Sequence, residues 1–347
     1  MAETKTIFQS KNIDSILERI DFSKLGYKVG IKVHFGERGC DTYVSPELVK
    51  KVFDKVISLG KEAKLIECNV LYKGARTVEA DHISTAKSHG FDFAPIHILD
   101  GEKGQDAVKV SLPEKLSLRS AKIGAGINEY DSLVVVSHFK GHLMAGFGGA
   151  VKNVGMGLGS RAGKLEMHSA TSSPKVNKKR CVACGICIEN CPENAISEDN
   201  DGKAEIDSEK CIRCAQCIEN CPEGAVNVPW SETTIDGFLQ RNIDYCFAVL
   251  KQINVFDKTI YLNVLENITQ ECDCWGTPQK PFTKDIGILA GYDPIAIDTA
   301  SRDLINKQTE SEDKFKELHP NTENINLLKY GEKVGLGSMS YKIEMLD

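Results

Sequence analysis

YKVGIKVHFG (27–36), SPELVKKVFDKVISLG (45–60) and AKLIECNV (63–70) decide the fold of this chain. The first and third are apolar and β-branched, so each reads as a strand. Between them Ser45 offers an N-cap, Pro46 takes the first helical position, and Gly60 closes a run of helical period. Near-continuous apolar strands joined by a helix imply parallel pairing with both faces covered. The pattern recurs: a short helix over VEADHISTAKSHG (78–90), then strands over DSLVVVSHFK (131–140), TIYLNVLENI (259–268) and DIGILAG (285–291). The expected class is α/β, with a largely parallel sheet core. Helix signals in 306–347 are weak and leave that part of the fold undefined.

In such sheets ligands bind beyond the carboxyl ends of the strands. That places His34, Phe35 and Gly36, Leu71 and Tyr72, Ser137, His138 and Lys140, and Glu266 and Asn267 at one edge.

The chain has 347 residues, 41% hydrophobic and 27% charged, as in soluble globular proteins. No apolar run approaches the roughly 18 residues of a membrane span. The start, MAETKTIFQS, lacks an apolar signal core, so the expected location is cytoplasmic. A net charge of -6 argues against nucleic acid as a partner, which needs a basic stripe.

Thirteen cysteines are present, eight of them between 181 and 221. CVACGICIENCPENAI (181–196) aligns with CIRCAQCIENCPEGAV (211–226), and each copy reads C-x2-C-x2-C-x3-C-P. This is the bacterial ferredoxin run for 4Fe-4S clusters, in which the fourth cysteine crosses to the other cluster. A tightly wound loop caps three irons of a cubane with three thiolates and cannot reach the fourth. Cluster one is therefore expected on Cys181, Cys184, Cys187 and Cys221, and cluster two on Cys211, Cys214, Cys217 and Cys191. Zinc sites use two ligand pairs across a longer loop, which two tandem runs of four do not match. Clusters acting only as staples remain an alternative. From Cys181 to Pro222 the segment carries nine acidic and three basic residues, which suits a redox partner or ferredoxin with a basic docking patch. The expected domains are an α/β core over 1–175, an inserted dicluster ferredoxin domain over 176–229, and the rest of the core over 230–347. PKVNKKR (174–180) leads in and NVPWSETT (227–234) leads out.

HFKGHLMAGFGGAVKNVGMGLGSRAGK (138–164) mixes cations with glycines. Gly146, Gly148, Gly149, Gly155, Gly157 and Gly159 let backbone N–H groups approach a ligand, and neighbouring lysines add charge, so the stretch reads as a cradle for a small anionic ligand. Close packing against the cysteine-rich segment is the alternative use of those glycines. His34, His138, Lys140, His142 and Lys152 are the candidate catalytic residues, as proton donors or metal ligands. Glu166 and His168 follow as weaker candidates. Cys272 and Cys274, one residue apart, can chelate an additional metal or hold a reactive thiol, or be ordinary buried cysteines. Asp293 and Asp298 join that site or cap a helix, the cap being favoured for Asp293 because Pro294 follows it. Cys40, Cys68 and Cys246 have no spacing partner and read as structural.

KVHFGERGCDTYVSPELV, SHFKGHLMAGFGGAVKNVGMGLGSRAGK, ECDCWG and DIGILAGYDPIAIDTA together resemble domain-of-unknown-function family 362, along nearly the full chain. The resemblance implies iron–sulfur binding and redox work, with no established substrate. HLMAGFGGAVKNV is also similar to a stretch of the nickel-pincer lactate racemases: His142, Gly146, Gly149 and Lys152 fit, Gly148 is one place off, and Ala150 departs. That similarity implies a binding cleft. The expected function is electron transfer through two 4Fe-4S clusters. A ferredoxin-fed reductase acting on an anionic substrate or unidentified cofactor is the alternative, because some 290 residues of α/β fold exceed what a carrier needs. A non-catalytic scaffold or assembly factor stands third.

Overall fold

The computed structural model describes residues 3–72, 74–169, 173–229 and 233–347. Eight strands build the central sheet: β1 (Lys5–Ser10), β2 (Lys28–Val33), β3 (Glu62–Glu67), β4 (Ile96–Ile98), β5 (Ser132–His138), β6 (Thr259–Leu265), β7 (Gly287–Gly291) and β8 (Tyr341–Met345). Their order is β8-β1-β7-β6-β5-β2-β3-β4. Neighbours from β6 across to β4 are parallel, and β8 is parallel to β1. Only β7 is reversed, antiparallel to β6 and to β1. The sheet is thus largely parallel, as expected. A parallel successor to β6 needs a crossover that returns the chain to the far edge, whereas an antiparallel one does not. Residues 266–286 therefore stay at the carboxyl end of β6, and this keeps the C-D-C stretch at that edge.

Every residue of β5 and β6 is buried. Leu133 and Val135 point into one apolar layer, Val134 and Val136 into the other, following the two-residue alternation of a strand. The helix Pro46–Ser58 covers the second layer with Leu48, Val49, Val52 and Val56. It starts where the sequence indicates, with the Leu48 N–H donating to Ser45 Oγ at 3.4 Å. Helices Ala150–Leu158, Ile235–Gln252 and Pro294–Gln308 cover the first layer. The C-terminal part, undefined in sequence, forms helices Lys314–Leu318 and Ile325–Lys333 before β8.

Residues 174–229 fold around their own small core of Cys187, Ile196, Ala204, Cys217, Cys221, Ala225 and Val226. The two halves repeat one geometry. Ala183 and Gly185 take φ of 56° and 73°, and Arg213 and Ala215 both take 61°. Each pair leads into a short helix, Ile186–Glu189 or Gln216–Glu219. Residues 230–232 of the exit stretch lie outside the described residues. No helix among the described residues is long and apolar enough to cross a membrane.

Gly155 sits where helix Ala150–Leu158 packs on Ile235–Gln252. A Cβ there would collide with the Asn242 carbonyl and crowd the Cys246 nitrogen at 3.1 Å. Gly155→Ala is expected to destabilise the fold by about 1–3 kcal/mol, the usual cost of overpacking. Chemical denaturation measures this, and an unchanged midpoint would contradict the packing role.

Candidate functional site

The carboxyl ends of β2, β3 and β5 open into a cavity of about 510 Å³. His34 closes β2, Glu67 closes β3, and Lys140 and His142 follow β5, all lining it. Helix Ala150–Leu158 adds Lys152, Asn153, Met156 and Gly157, and helix Arg161–Ser169 adds Lys164 and His168. The loop after β6 contributes Cys272, Cys274 and Trp275. The sequence therefore assembles most of its candidate residues in one place. Trp275 and Leu143 stand exposed at the rim.

Among the five candidate catalytic side chains, His138 is the exception. It is buried behind the cavity, with Nδ1 2.8 Å from Asp273 Oδ1 and Nε2 3.0 Å from the Glu266 carbonyl. Lys140 Nζ lies 3.2 Å from Asp273 Oδ2 and donates to the His138 carbonyl at 2.9 Å. Burial alone would raise the Asp273 carboxyl, but His138 and Lys140 outweigh it and hold the acid well below its ordinary range. Asp273 thus stays ionised and fastens the 266–286 loop to the end of β5. His138 positions; it does not face a ligand.

Burial holds the cavity histidines His34, His142 and His168 neutral. Burial, reinforced by Arg76 and Lys140, pushes His34 well below its usual range. Arg76 Nη1 and the Gly36 N–H approach its two ring nitrogens at 2.9 and 3.1 Å. A neutral ring carries one hydrogen, so it accepts only one of these donors. Burial and Lys152 likewise depress His142. The Met144 and Ala145 N–H groups both donate to its Nδ1 at 3.2 and 3.0 Å, which leaves the hydrogen on Nε2. His142 and His168 both stack on Phe238, with centroids 6.2 and 5.0 Å away. A neutral imidazole N–H can donate a hydrogen bond, but it is not the cationic proton donor that the sequence reading allowed.

The glycines divide their work. Gly148 and Gly149 line the cavity, and a Cβ on Gly148 would meet Lys152 Cδ at 3.6 Å and Lys140 Cε at 3.7 Å, so the bare backbone leaves space between the two lysines. Gly157 also lines it and lies against Lys32. Gly146 takes φ +76° in a turn against Asn324, and Gly159 packs on Met167. With Gly155, these two are packing glycines outside the cavity wall, which corrects their assignment to a ligand cradle. The helix start is also spoken for: the Ala150 and Val151 N–H groups donate to Asp298 Oδ1 and Oδ2 at 2.7 and 3.0 Å. Asp298 is fully buried, and burial raises its carboxyl to about 6. It is a helix cap and not a ligand beside Cys272. Asp293 is a cap too, accepting from Ile295 and Ala296 at 2.9 Å, as expected. Glu166 accepts from Tyr245 Oη at 2.5 Å and does not line the cavity.

Anion attraction therefore rests on side chains. Lys140 is paired with Asp273, and Lys164 donates to the carbonyls of Gly157 and Gly159 at 3.1 and 2.7 Å. Lys32, below the floor, is paired with Glu67 at 3.0 Å. Among the described residues Lys152 has no hydrogen-bond or ion-pair partner. Burial, with Lys140 and Lys32 adding repulsion, lowers it to about 7. Arg76, which no motif marks, is fully buried and binds Tyr72 Oη at 2.6 Å and Glu37 Oε2 at 3.2 Å. Sequence reading missed it, whereas Lys164 lay in the glycine-rich stretch without being singled out as a site residue. Lys32 and Glu67 carried a signal, each being a charge inside an apolar strand.

Cys272 and Cys274 are joined by a disulfide with Cα atoms 5.3 Å apart. In this state they present no thiolate pair to a metal, which corrects the chelation reading. The eight other motif cysteines border two further voids. One is lined by Cys181, Cys184, Cys187 and Cys221, the other by Cys191, Cys211, Cys214 and Cys217. Backbone N–H groups of Ala195 and Ala225 donate to the sulfurs of Cys191 and Cys221 at 3.2 and 3.1 Å. Among the described residues no three His, Cys, Asp or Glu side chains converge closely enough to hold a single metal ion. Cys40, Cys68 and Cys246 are buried, and Cys68, read from sequence as structural, also lines the cavity.

A family model described as domain of unknown function (DUF362) matches residues 29–303. The chain belongs to that family. The matched span contains every residue lining the cavity and all eight motif cysteines. No curated protein matches the sequence. Among solved structures, the lactate racemase apoprotein from Thermoanaerobacterium thermosaccharolyticum is similar with a TM-score of 0.45 and 13% identity, over 88% of this chain and 57% of that one. A Thermotoga maritima protein is similar with a TM-score of 0.37 and 10% identity, over 86% of this chain and 57% of that one. The chain therefore spans 57% of the length of each of these two structures.

Lys152 is expected to make any affinity of the cavity for anions depend on pH. Its ammonium is present below about 7 and is lost above it. Sulfate, which does not titrate near neutrality, is expected to bind about tenfold more weakly at about pH 9 than at about pH 6, the scale of one charged hydrogen bond. Calorimetry of wild type and Lys152→Met measures this: the variant should bind weakly with a flat profile, and an unchanged profile would remove Lys152 from the site.

Proposed function

We propose that this family member is an iron–sulfur protein that carries electrons on two 4Fe-4S clusters. The observation behind the reading is the composition of the two cysteine-lined voids. Each takes three cysteines from one run and the fourth from the other, the crossing arrangement of two-cluster ferredoxins. Left-handed residues precede the short helix within each run, as a tightly winding loop requires, and the N–H donors to Cys191 and Cys221 suit thiolates. When bound, such clusters supply single-electron exchange over a wide range of potentials. The rest is the work of the chain. Its acidic segment faces a redox partner or ferredoxin carrying a basic patch. The compartment that suits thiolate-held clusters is the reducing cytoplasm.

A second reading has its own support. Ala215 lines the void of Cys191, Cys211, Cys214 and Cys217, and Leu71 lines the large cavity. Both belong to one apolar cluster with Leu165 and Val228. One apolar cluster therefore links the wall of the second cysteine-lined void to the wall of the large cavity. This favours a reductase whose cavity residues bind and orient an anionic acceptor: Lys152 and Lys140 attract it, the His142 Nε2–H donates to it, and the apolar rim excludes water.

Anaerobically purified protein is expected to hold about eight iron and eight acid-labile sulfides per chain. Cys191→Ala should perturb the same cluster as Cys211→Ala, and Cys221→Ala the same as Cys181→Ala, by electron paramagnetic resonance of the reduced protein. Four or fewer iron with zinc in their place would overturn the reading. For the reductase, His142→Ala and Lys152→Ala should each weaken small-anion binding about tenfold while the iron content stays the same.

A further inference from the structure

The disulfide between Cys272 and Cys274 is unlike the other cysteines of the chain. None of the eleven others is disulfide-bonded, and eight of them are grouped in the two runs. In a reducing compartment, which the cluster reading implies, a disulfide that forms is usually catalytic or redox-sensing. As a staple it would achieve little. It closes a loop with one intervening residue, and so short a loop removes little entropy from the unfolded chain. The loop is also held without it. Asp273 is fixed by His138, Lys140 and Thr42, and its carbonyl accepts from the Glu37 N–H at 2.9 Å. Gly39 and Gly276 meet so closely that a Cβ on Gly39 would come within 2.5 Å of the Gly276 carbonyl.

Both cysteines line the large cavity, and Cys274 is only half-buried. Lys140, ion-paired to the residue between them, and Lys152 line the same cavity. Cations beside a sulfur favour the thiolate and so ease opening and closing of the bond. Leu71, on the same cavity wall, shares its apolar cluster with Ala215 of the second cysteine-lined void.

We propose that Cys272–Cys274 is a redox-active disulfide, which collects two single electrons and returns them as one dithiol pair to an anionic acceptor bound in the cavity. The loading step breaks the S–S bond: the disulfide takes two electrons and two protons and becomes two thiols. The electrons would be supplied by reduced iron–sulfur donors, one electron from each, and the protons by solvent. The discharge step restores the S–S bond as two electrons and two protons pass to the acceptor. The pair thus matches one-electron donors to a two-electron reaction. This rests on the two-cluster reading above, and the test keeps the two apart.

The full-length protein, purified without air and assayed for iron, is treated with reduced methyl viologen, a one-electron donor. It is then quenched with N-ethylmaleimide, digested and analysed by mass spectrometry. Cys272 and Cys274 are expected as a disulfide before treatment and as two alkylated thiols after it. In Cys217→Ala, which loses the second cluster, viologen should leave the disulfide closed while dithiothreitol opens it. Clusters reduced by viologen, as seen by electron paramagnetic resonance, beside an intact disulfide would overturn the proposal. So would failure of dithiothreitol to open the bond in native protein, or equal opening by viologen in Cys217→Ala. A low iron count instead defeats the cluster reading, while the dithiothreitol arm still decides whether the pair is reducible in the folded chain.

Discussion

A single carboxylate ties the site together. Asp273 is fully buried, and a buried charge costs several kcal/mol unless it is paired and hydrogen-bonded. His138 and Lys140 offset that cost from the end of β5, and Thr42 adds a hydrogen bond at 3.3 Å from the loop after β2. Three segments distant in sequence are thereby locked to one another at the carboxyl edge of the sheet. The reversed strand β7 makes this arrangement possible, because it keeps the 266–286 loop at that edge. The position of Lys140 in the cavity and that of the two sulfurs follow from the same anchor.

Much of the sheet was legible because its strands are apolar runs bounded by caps and glycines. The helix Pro46–Ser58 and strands β2, β3, β5 and β6 sit where their patterns indicate. The reversal of β7 was not legible: a strand buried on both faces reads the same in either direction. The strand-end rule picked out His34 and Lys140, the glycine-rich stretch added His142 and Lys152, and all four line one cavity. The rule could not say which way a ring turns, so His138 reads as an active residue although its side chain points at Asp273. Arg76 and Lys164 reach their places through long side chains from a turn and a helix, and no local pattern encodes that reach. Spacing alone also could not distinguish a metal chelate from a disulfide in C-D-C.

The glycine-rich stretch shows how one composition can serve two purposes. Gly155 and Gly159 bring backbones and side chains into close contact, whereas Gly148 leaves room between two lysines. The anion-binding potential of the helix start is used internally by Asp298, a carboxylate from another helix. Charge for a ligand comes instead from ammonium groups, and these, unlike backbone amides, titrate.

The pairing of β1 sets the order in which the molecule can be built. Its two neighbours are β7 and β8, so β1, made before either of them, finds its partners only after residues 287–345 have been made. Such distant pairing is slow to form. The segment 174–229, with its local hairpins and own small core, contains all its internal partners much earlier. The cysteine-lined unit is therefore able to close while the sheet is still incomplete, and the large cavity gains its last wall, the C-D-C loop, near the end.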